Sequence, residues 1–244
     1  MLVEGRRELG LAVRNNIGID SVFCCPALFR GPGDFEFIES IAVGSGAQIF
    51  ECAGPVYAAL AYRESTEPFI AVARRKKLTL EKIVLSENPL IIIAESVEKP
   101  GNLGGILRSA DAVGVDMVIV CDMRVDLYNP NVVRASLGTL FSVQALESSP
   151  EDTAAFLEAR GIGVFAATPD AEQDYTEADL SGPSAILVGS EQDGLKKSVL
   201  SGRAVPISIP MSGQSDSLNV SVSAAVILFE ARRQRKRKHD SCFT

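Results

Sequence analysis

The sequence predicts an α/β protein in which a parallel sheet flanked by helices follows a smaller α/β unit. Two observations within the 244 residues support this prediction. From residue 90 onwards, short and wholly apolar segments recur, and helical segments separate most of them. Continuous apolar strands are typical of a parallel sheet covered by helices on both faces, which is the doubly wound arrangement.

The part of the chain before about residue 88 alternates shorter segments of helix and strand character. Hydrophobic periodicity predicts helices over 3–15, 35–45 and 54–64, strands over 21–29 and 67–75, and either a helix or a strand over 80–85. Pro26 is expected to stop the first of these strands. The polar residues 86–89 predict a domain boundary, which divides the chain into residues 1–88 and 89–244.

The larger unit has a regular alternation of elements. Its apolar runs predict strands over 90–95, 117–120, 163–168, 185–189 and 205–210. The segments between and after them predict helices over 102–113, 129–141, 151–160 and 217–235.

Composition excludes several kinds of chemistry. The chain has one histidine, His239, in a basic C-terminal segment. Because Ser-His-Asp and Cys-His catalysis need a histidine within a structured site, both classes are excluded. The five cysteines lack metal-ligand spacing and are interpreted as small buried residues, and we expect no metal. No apolar run is long enough to span a bilayer and no signal-peptide core is present, so we expect a cytoplasmic protein.

The net charge of −7 taken alone argues against a nucleic-acid-binding protein. Local charge decides such binding, however, and the sequence contains three concentrations of basic residues. They are Arg6 with Arg7 and Arg14, Arg74–Lys77, and Arg232–Lys238. Each is either a nucleic-acid contact or an ordinary solvated face.

Three motifs at predicted strand ends carry candidate functional residues. In the first, Asn102 is placed to cap a helix, and Gly104 and Gly105 allow another backbone to approach. Arg108 lies further along the same helix, and Gly114 is expected to end it. An ordinary strand–turn–helix crossover with an exposed arginine fits the same pattern.

The second and third motifs follow later strands. The second is Gly189-Ser190-Glu191 with a turn at Asp193-Gly194, and it places a carboxylate at the carboxyl end of a parallel strand, where ligands usually bind. The third is Pro210-Met211 followed by Ser217–Ser221, where Asn219 and Ser221 enter an apolar helix. Polar groups in such surroundings need partners, which a ligand, nearby loops or simple helix capping would supply. No phosphate-binding loop or dinucleotide fingerprint is present.

Together, in this order and spacing, the motifs resemble those of the SpoU/TrmH class of the SPOUT superfamily, over about residues 90–235. The family pattern N-x-G-x-x-x-R-x-A is matched by Asn102, Gly104, Arg108 and Ala110. Its other two motifs are matched by Gly189 to Glu191 with Gly194, and by Ile209 to Met211 with Ser217 to Ser221. Residues 132–141 are similar to a further family segment, R-A-S-x-G-x-L-F.

The resemblance implies a C-terminal deep trefoil knot, S-adenosyl-L-methionine as cofactor, and a homodimer with the active site near the subunit interface. Residues 1–88 are similar to the family's N-terminal RNA substrate-binding domain, and residues 89–244 to its methyltransferase domain with a basic C-terminal tail. The implied activity is RNA ribose 2′-O-methylation. The implied cofactor contacts are Gly189, Ile209, Met211, Leu218, Leu187 and Ser217.

The resemblance also implies catalytic roles. In the family proposal Arg108, assisted by an RNA phosphate, activates the ribose hydroxyl. Because free arginine stays protonated, positioning of the hydroxyl and a phosphate is the alternative role. Asn102, Glu191 and Asn219 orient Arg108 and the ribose, and Ser221 is a weaker member of this set. The added N-terminal domain favours ribosomal RNA. Transfer RNA, a catalytically inactive RNA-binding protein and an unrelated α/β enzyme remain as alternatives.

Overall fold

The structure, a computed structural model of the chain, describes residues 1–62, 67–189, 195 and 199–241. Its strands form two sheets, one of four strands with order β1-β4-β2-β3 and one of six with order β10-β8-β9-β5-β6-β7. All pairings in the six-stranded sheet are parallel. The predicted parallel α/β unit preceded by a smaller α/β unit is therefore confirmed.

The smaller unit contains four strands and three helices. They are β1 (Leu2–Glu4), α1 (Arg6–Arg14), β2 (Ile19–Cys24), α2 (Pro32–Ser45), β3 (Gln48–Glu51), α3 (Gly54–Leu60) and β4 (Phe69–Ala73). Strand β4 pairs antiparallel with β1 and β2, whereas β2 and β3 are parallel. Side chains alternate across the sheet, so Val22 and Cys24 join the main core while Phe23 lies on the opposite face.

The larger unit alternates strands and helices, as expected. Its elements are β5 (Leu90–Glu95), α4 (Pro100–Val113), β6 (Met117–Cys121), α5 (Pro130–Ala135), β7 (Ala145–Glu147), α6 (Pro150–Glu158), β8 (Gly163–Ala167), β9 (Ser184–Val188), β10 (Val205–Ile207) and α7 (Val220–Ser241). Every residue of β5, β6 and β9 is buried, because helices cover both faces of these strands.

Three predicted helices are shorter than expected, and the one predicted over 54–64 ends at Leu60. The helix predicted over 3–15 begins only at Arg6, since Gly5 has φ 111° and the residues before it pair with β4. The helix predicted over 129–141 ends at Ala135, because Gly138 adopts a left-handed conformation with φ 83°. Strands β3 and β7, of four and three residues, were not predicted.

Two capping predictions are also corrected. Lys99, not Asn102, precedes α4, and Asn102 is instead in the first turn of the helix. Helix α7 begins at Val220 rather than at residue 217, so Asn219 precedes the helix and is not one of its internal polar residues. Gly114, by contrast, ends α4 in a left-handed conformation with φ 75°, as predicted.

The two units share one apolar core. The largest buried cluster joins Leu9 of α1 to residues of β5 and α4. At their junction, a Cβ on Gly138 would lie 3.0 Å from the Cα of Glu8, so the backbone at Gly138 lies close against the backbone of α1. The guanidinium of Arg75 pairs with Asp126 at 2.7 Å. The units are therefore packed as one body rather than joined by a loose linker.

The C-terminal half of α7 is hydrogen-bonded to the segments at the amino ends of β5 and β9, the two central strands of the larger sheet. The side chain of Arg235 lies within hydrogen-bond distance of the oxygens of Asn88, Pro89, Leu180 and Gly182 and of the Ser184 hydroxyl. Gln234 donates to Ala178 and accepts from the amide of Leu180. The predicted trefoil knot stays a prediction. None of the described helices combines the length and apolar character needed to cross a bilayer.

Candidate active site

Helices α4 and α7 approach closely at the first motif because two glycines remove side chains from the contact. A Cβ on Gly105 would lie 2.9 Å from the Cβ and Oγ of Ser221. On the neighbouring face, a Cβ on Gly104 would lie 2.8 Å from the backbone of Ala135 and Ser136 in the segment after α5. The close backbone approach predicted for these glycines is confirmed.

This contact brings three of the expected catalytic residues together. The amide of Asn219 donates to Oδ1 of Asn102 at 3.1 Å. The Oδ1 of Asn219 accepts from the backbone N–H of Ser221 at 3.0 Å and from its hydroxyl at 2.7 Å. Asn219 therefore caps α7 and at the same time ties it to α4, which fixes the orientation of both amides.

Arg108 lies one turn further along α4. It follows Gly105 by three residues, so the two are neighbours on the helix surface, and Gly105 is the residue that contacts Ser221 of the polar cluster. The side chain of Arg108 is exposed, and within the described part of the chain it has neither a hydrogen bond nor an ion pair. The guanidinium is therefore available to an incoming anionic or hydroxyl group.

A pocket opens beside the N-terminus of α7, at the carboxyl ends of β8, β9 and β10. The structure brings five expected cofactor contacts to its wall, namely Gly189, Ile209, Met211, Ser217 and Leu218. Apolar side chains of Val188, Ile207 and Val220 complete the interior. The carboxyl ends of parallel strands are the usual ligand-binding edge of such sheets.

Leu187 is the expected cofactor contact that does not reach this pocket. Its side chain is fully buried on the opposite face of β9, in a cluster with Leu157 of α6. Because neighbouring residues in a strand point to opposite faces, Val188 lines the pocket instead. Val188 thus lines the pocket where the side chain of Leu187 was expected, and a cofactor contact of Leu187 stays a prediction.

Six further pocket residues were missed by the sequence reasoning: Ala167, Thr168, Pro169, Leu195, Asp216 and Ser223. A signal for three of them was available, because β8 was predicted as a parallel strand and residues 167–169 are its carboxyl end. Ser190, Glu191 and Gly194 of the second motif lie outside the described residues. The expected role of Glu191 beside Arg108 therefore stays a prediction.

The basic clusters are partly engaged within the protein. Arg74 pairs with Asp20 at 2.8 Å, and Arg75 pairs with Asp126. In the first cluster, Arg6 pairs with Asp34. These pairs reduce the positive charge that each cluster presents to solvent, so the clusters are weaker RNA-binding candidates than their composition indicates.

The C-terminal cluster follows the same pattern. Arg233 is held by Glu230, and Arg235 is directed into backbone carbonyls. Arg232, Lys236 and Arg237 remain exposed on α7.

Relatives of known name share much of the sequence. The chain is 35% identical over 178 residues to a 23S rRNA (uridine(2479)-2′-O)-methyltransferase of Streptomyces viridochromogenes, covering 70% of this chain and 62% of that protein. It is 28% identical over 231 residues to a 23S rRNA (guanosine(2553)-2′-O)-methyltransferase of Bacillus subtilis, covering 95% of this chain and 88% of that protein. It is 38% identical over 181 residues to a tRNA (guanosine(18)-2′-O)-methyltransferase of Thermus thermophilus, covering 71% of this chain and 86% of that protein. The first of these matches thus spans less than two thirds of the relative's length.

Solved structures match nearly the whole chain. An RNA 2′-O ribose methyltransferase superposes with a TM-score of 0.83 and 38% identity, covering 97% of this chain and 89% of that one. The SpoU methyltransferase AviRb from Streptomyces viridochromogenes, in complex with AdoMet, gives a TM-score of 0.86 and 28% identity, covering 97% and 91%. The model of the SpoU rRNA methylase family matches residues 89–229. The chain belongs to the SpoU rRNA methylase family.

Proposed function

We propose that the protein transfers a methyl group from S-adenosyl-L-methionine to a ribose 2′-hydroxyl of RNA. The observation that carries this proposal is the polar cluster of Asn102, Asn219 and Ser221, with the exposed side chain of Arg108 one turn further along α4. This cluster adjoins the pocket, because the same loop supplies Ser217 and Leu218 to the pocket and Asn219 to the cluster. Relatives and structural neighbours named as RNA 2′-O-methyltransferases support the proposal.

The pocket suits the proposed cofactor. Its apolar walls at Val188, Ile207 and Ile209 fit a purine ring, and Asp216 and Ser217 offer polar atoms to the ribose or the amino acid part. Gly189 has no side chain to narrow the opening. When bound, S-adenosyl-L-methionine supplies a sulfonium-activated methyl group.

The residues of the chain are proposed to position the nucleophile. A ribose hydroxyl is a weak nucleophile at neutral pH and has to be oriented and relieved of its proton. Arg108 donates to the hydroxyl oxygen or to an adjacent phosphate, holding the ribose in place. Asn102 and Asn219 are locked by their mutual hydrogen bond and form one wall of this site. Glu191, from the second motif, is proposed to complete it.

Ribosomal RNA is the favoured substrate class. The similarity to the Bacillus subtilis enzyme extends over 95% of the chain and so includes the N-terminal unit. The match to the Thermus thermophilus tRNA enzyme covers 71%. That match makes transfer RNA the second candidate. We further propose that residues 1–88 form the substrate-binding domain.

A homodimer in the cytoplasm is also proposed, with the knot that the family resemblance implies. The dimer is supported by apolar side chains exposed along α7. Val222 is 45% exposed and Phe229 is 54% exposed, and their spacing of seven residues places them on one face of the helix. Light scattering coupled to gel filtration tests the dimer, and a mass of one chain would contradict it.

Labelled S-adenosyl-L-methionine with bulk ribosomal or transfer RNA tests the activity. We expect label in RNA, in alkali-resistant dinucleotides, because 2′-O-methylation blocks cleavage at that nucleotide. Arg108→Ala should abolish transfer while leaving cofactor binding nearly unchanged. Transfer within about tenfold of wild type, a barrier change below about 1.4 kcal/mol, would remove Arg108 from its role. Cofactor binding without transfer would indicate an inactive RNA-binding homologue. Absence of cofactor binding would indicate an unrelated enzyme.

A further inference from the structure

Two phenylalanine rings stack on the open face of the N-terminal sheet. Phe23 of β2 and Phe50 of β3 are register partners, with ring centroids 5.1 Å apart and planes 17° from parallel. Strand β3 is an edge strand in the described sheet. Phe50 is 43% exposed even though Phe23 covers part of its ring. Aromatic surface therefore remains open to solvent at the edge of the sheet.

This ring is not part of the packed interior. The main core lies on the opposite face of the sheet, where Val22 and Ile49 point. On the face of the rings, the small cluster around Cys25 and Tyr57 includes Phe23 but not Phe50. In the described chain, Phe50 packs against none of the buried clusters. Its aromatic surface is thus available for a ligand.

Polar and cationic groups continue the same face beyond the rings, with Ser21 and Gln48 in the next row and Arg74 one row further, just past the end of β4. Ser21 and Gln48 are register partners two residues before Phe23 and Phe50. Arg74 continues β4 beyond its end, with its amide bonded to the carbonyl of Gly18. Its side chain is 76% exposed and binds Asp20 through Nε, and its two terminal nitrogens have no partner in the described part of the protein.

This combination fits an unpaired nucleotide better than an apolar protein surface. An aromatic ring stacks on any base, an amide hydrogen-bonds the edge of a base, and a guanidinium binds phosphate. An apolar partner would instead gain little from Gln48 and would have to desolvate Arg74. The polar groups of Gln48 and Arg74 therefore favour RNA as the ligand of this face.

We propose that this stacking face, defined by Phe23, Phe50, Ser21, Gln48 and Arg74, binds one unpaired base of the RNA substrate by stacking on Phe50. The proposal rests on the RNA substrate proposed above and adds a feature of it, namely an unpaired nucleotide outside the methylated position. Stacking extends the existing pair of rings by one more plane at the edge of the sheet.

Photocrosslinking of the full-length chain tests the contact directly. The probes are a single-stranded oligouridylate containing 4-thiouridine and bulk ribosomal RNA carrying the same nucleotide. We expect crosslinks in the tryptic peptides of residues 15–30 and 31–63, which contain the two rings. Crosslinks elsewhere but in neither peptide would overturn the proposal.

Substitutions measure what the ring contributes. Phe50→Leu keeps an apolar side chain but removes the aromatic face, and we expect oligouridylate binding to weaken about tenfold. Phe50→Tyr keeps the face and should bind like wild type, which also guards against a folding defect. Phe35→Leu is the matched control, because Phe35 is 53% exposed on α2, a helix on the other side of the sheet. Equal binding by Phe50→Leu and wild type would overturn the proposal.

The same preparations separate this proposal from the enzymatic one. Methyl transfer to bulk ribosomal RNA is measured for the wild type alongside binding. If the wild type transfers methyl groups and Phe50→Leu binds oligouridylate as the wild type does, only the proposed stacking face is overturned. Binding that depends on Phe50, without any transfer, supports the stacking face and overturns the proposed activity.

Discussion

Arg235 is expected to be a major contributor to stability, and Arg235→Met removes its guanidinium while keeping an apolar stem. The side chain donates one N–H from Nε, one from Nη1 and two from Nη2, and these reach oxygens of residues 88–89 and 180–184. It is half-buried, and burial lowers the pKa of its guanidinium. Arginine nevertheless remains charged at neutral pH, so these are charge-assisted hydrogen bonds.

The magnitude follows from this count. With about 1 kcal/mol for each of the four donated N–H groups, Arg235→Met should lower the free energy of unfolding by about 4 kcal/mol. That is a large part of the roughly 5–15 kcal/mol by which domains are stable. Arg235→Lys keeps the charge but not the planar fork, so we expect a loss of about 2 kcal/mol.

Urea unfolding followed by far-UV circular dichroism measures the loss, and hydrogen exchange in residues 86–92 and 180–186 shows whether it is local. Lys236→Met is the control, because Lys236 is exposed on the same helix. Cofactor affinity should be unchanged, since residue 235 lies about 22 Å along α7 from its first residue. A loss below about 1 kcal/mol, or one equal to that of Lys236→Met, would refute the reasoning.

Three further outcomes are expected. Gly104→Ala should lower the free energy of unfolding in urea by about 2 kcal/mol, because the added Cβ would lie 2.8 Å from the backbone of Ala135. An unchanged urea midpoint would show that α4 and α5 can separate without cost. Gly189→Val should weaken cofactor binding at least tenfold by calorimetry, and unchanged affinity would remove Gly189 from the pocket. Burial raises the pKa of the Cys24 and Cys121 thiols to about 11, so the unfolded chain loses these protons first, and stability should fall between pH 9 and 11. A Cys24→Ala/Cys121→Ala variant that shows the same fall would contradict this origin.

The sequence was most informative where one local signal determines the structure. The run at 90–95 is wholly apolar and forms β5 over those same residues. Gly114 ends α4 because few other residues adopt its left-handed conformation. Strand β3 could not be found in this way, since three of its four residues are exposed and its pairing with β2 is decided by tertiary contacts.

The site was predicted as a set of residues but not as an arrangement. Asn102 looks like a helix cap in the sequence, yet its partner is Asn219, 117 residues away. No local pattern encodes such a contact. The face of a strand residue is equally hard to predict in a wholly apolar run, because alternation carries no visible signal there. This is why Leu187 was expected in the pocket that Val188 lines.

The shared core of the two units changes how RNA binding should be tested. Deleting residues 1–88 would uncover the surface of α5 and of residues 139–141 that packs against β1 and α1, and it would remove Leu80 and Leu85, which pack against the larger sheet. Lost RNA binding in such a truncation would therefore not distinguish a missing contact from a damaged catalytic unit. Point substitutions on exposed residues avoid this problem. If Arg7 contacts a phosphate, Arg7→Gln should reduce the slope of log binding constant against log salt concentration by about one unit. An unchanged slope, with the fold intact, would place the RNA elsewhere.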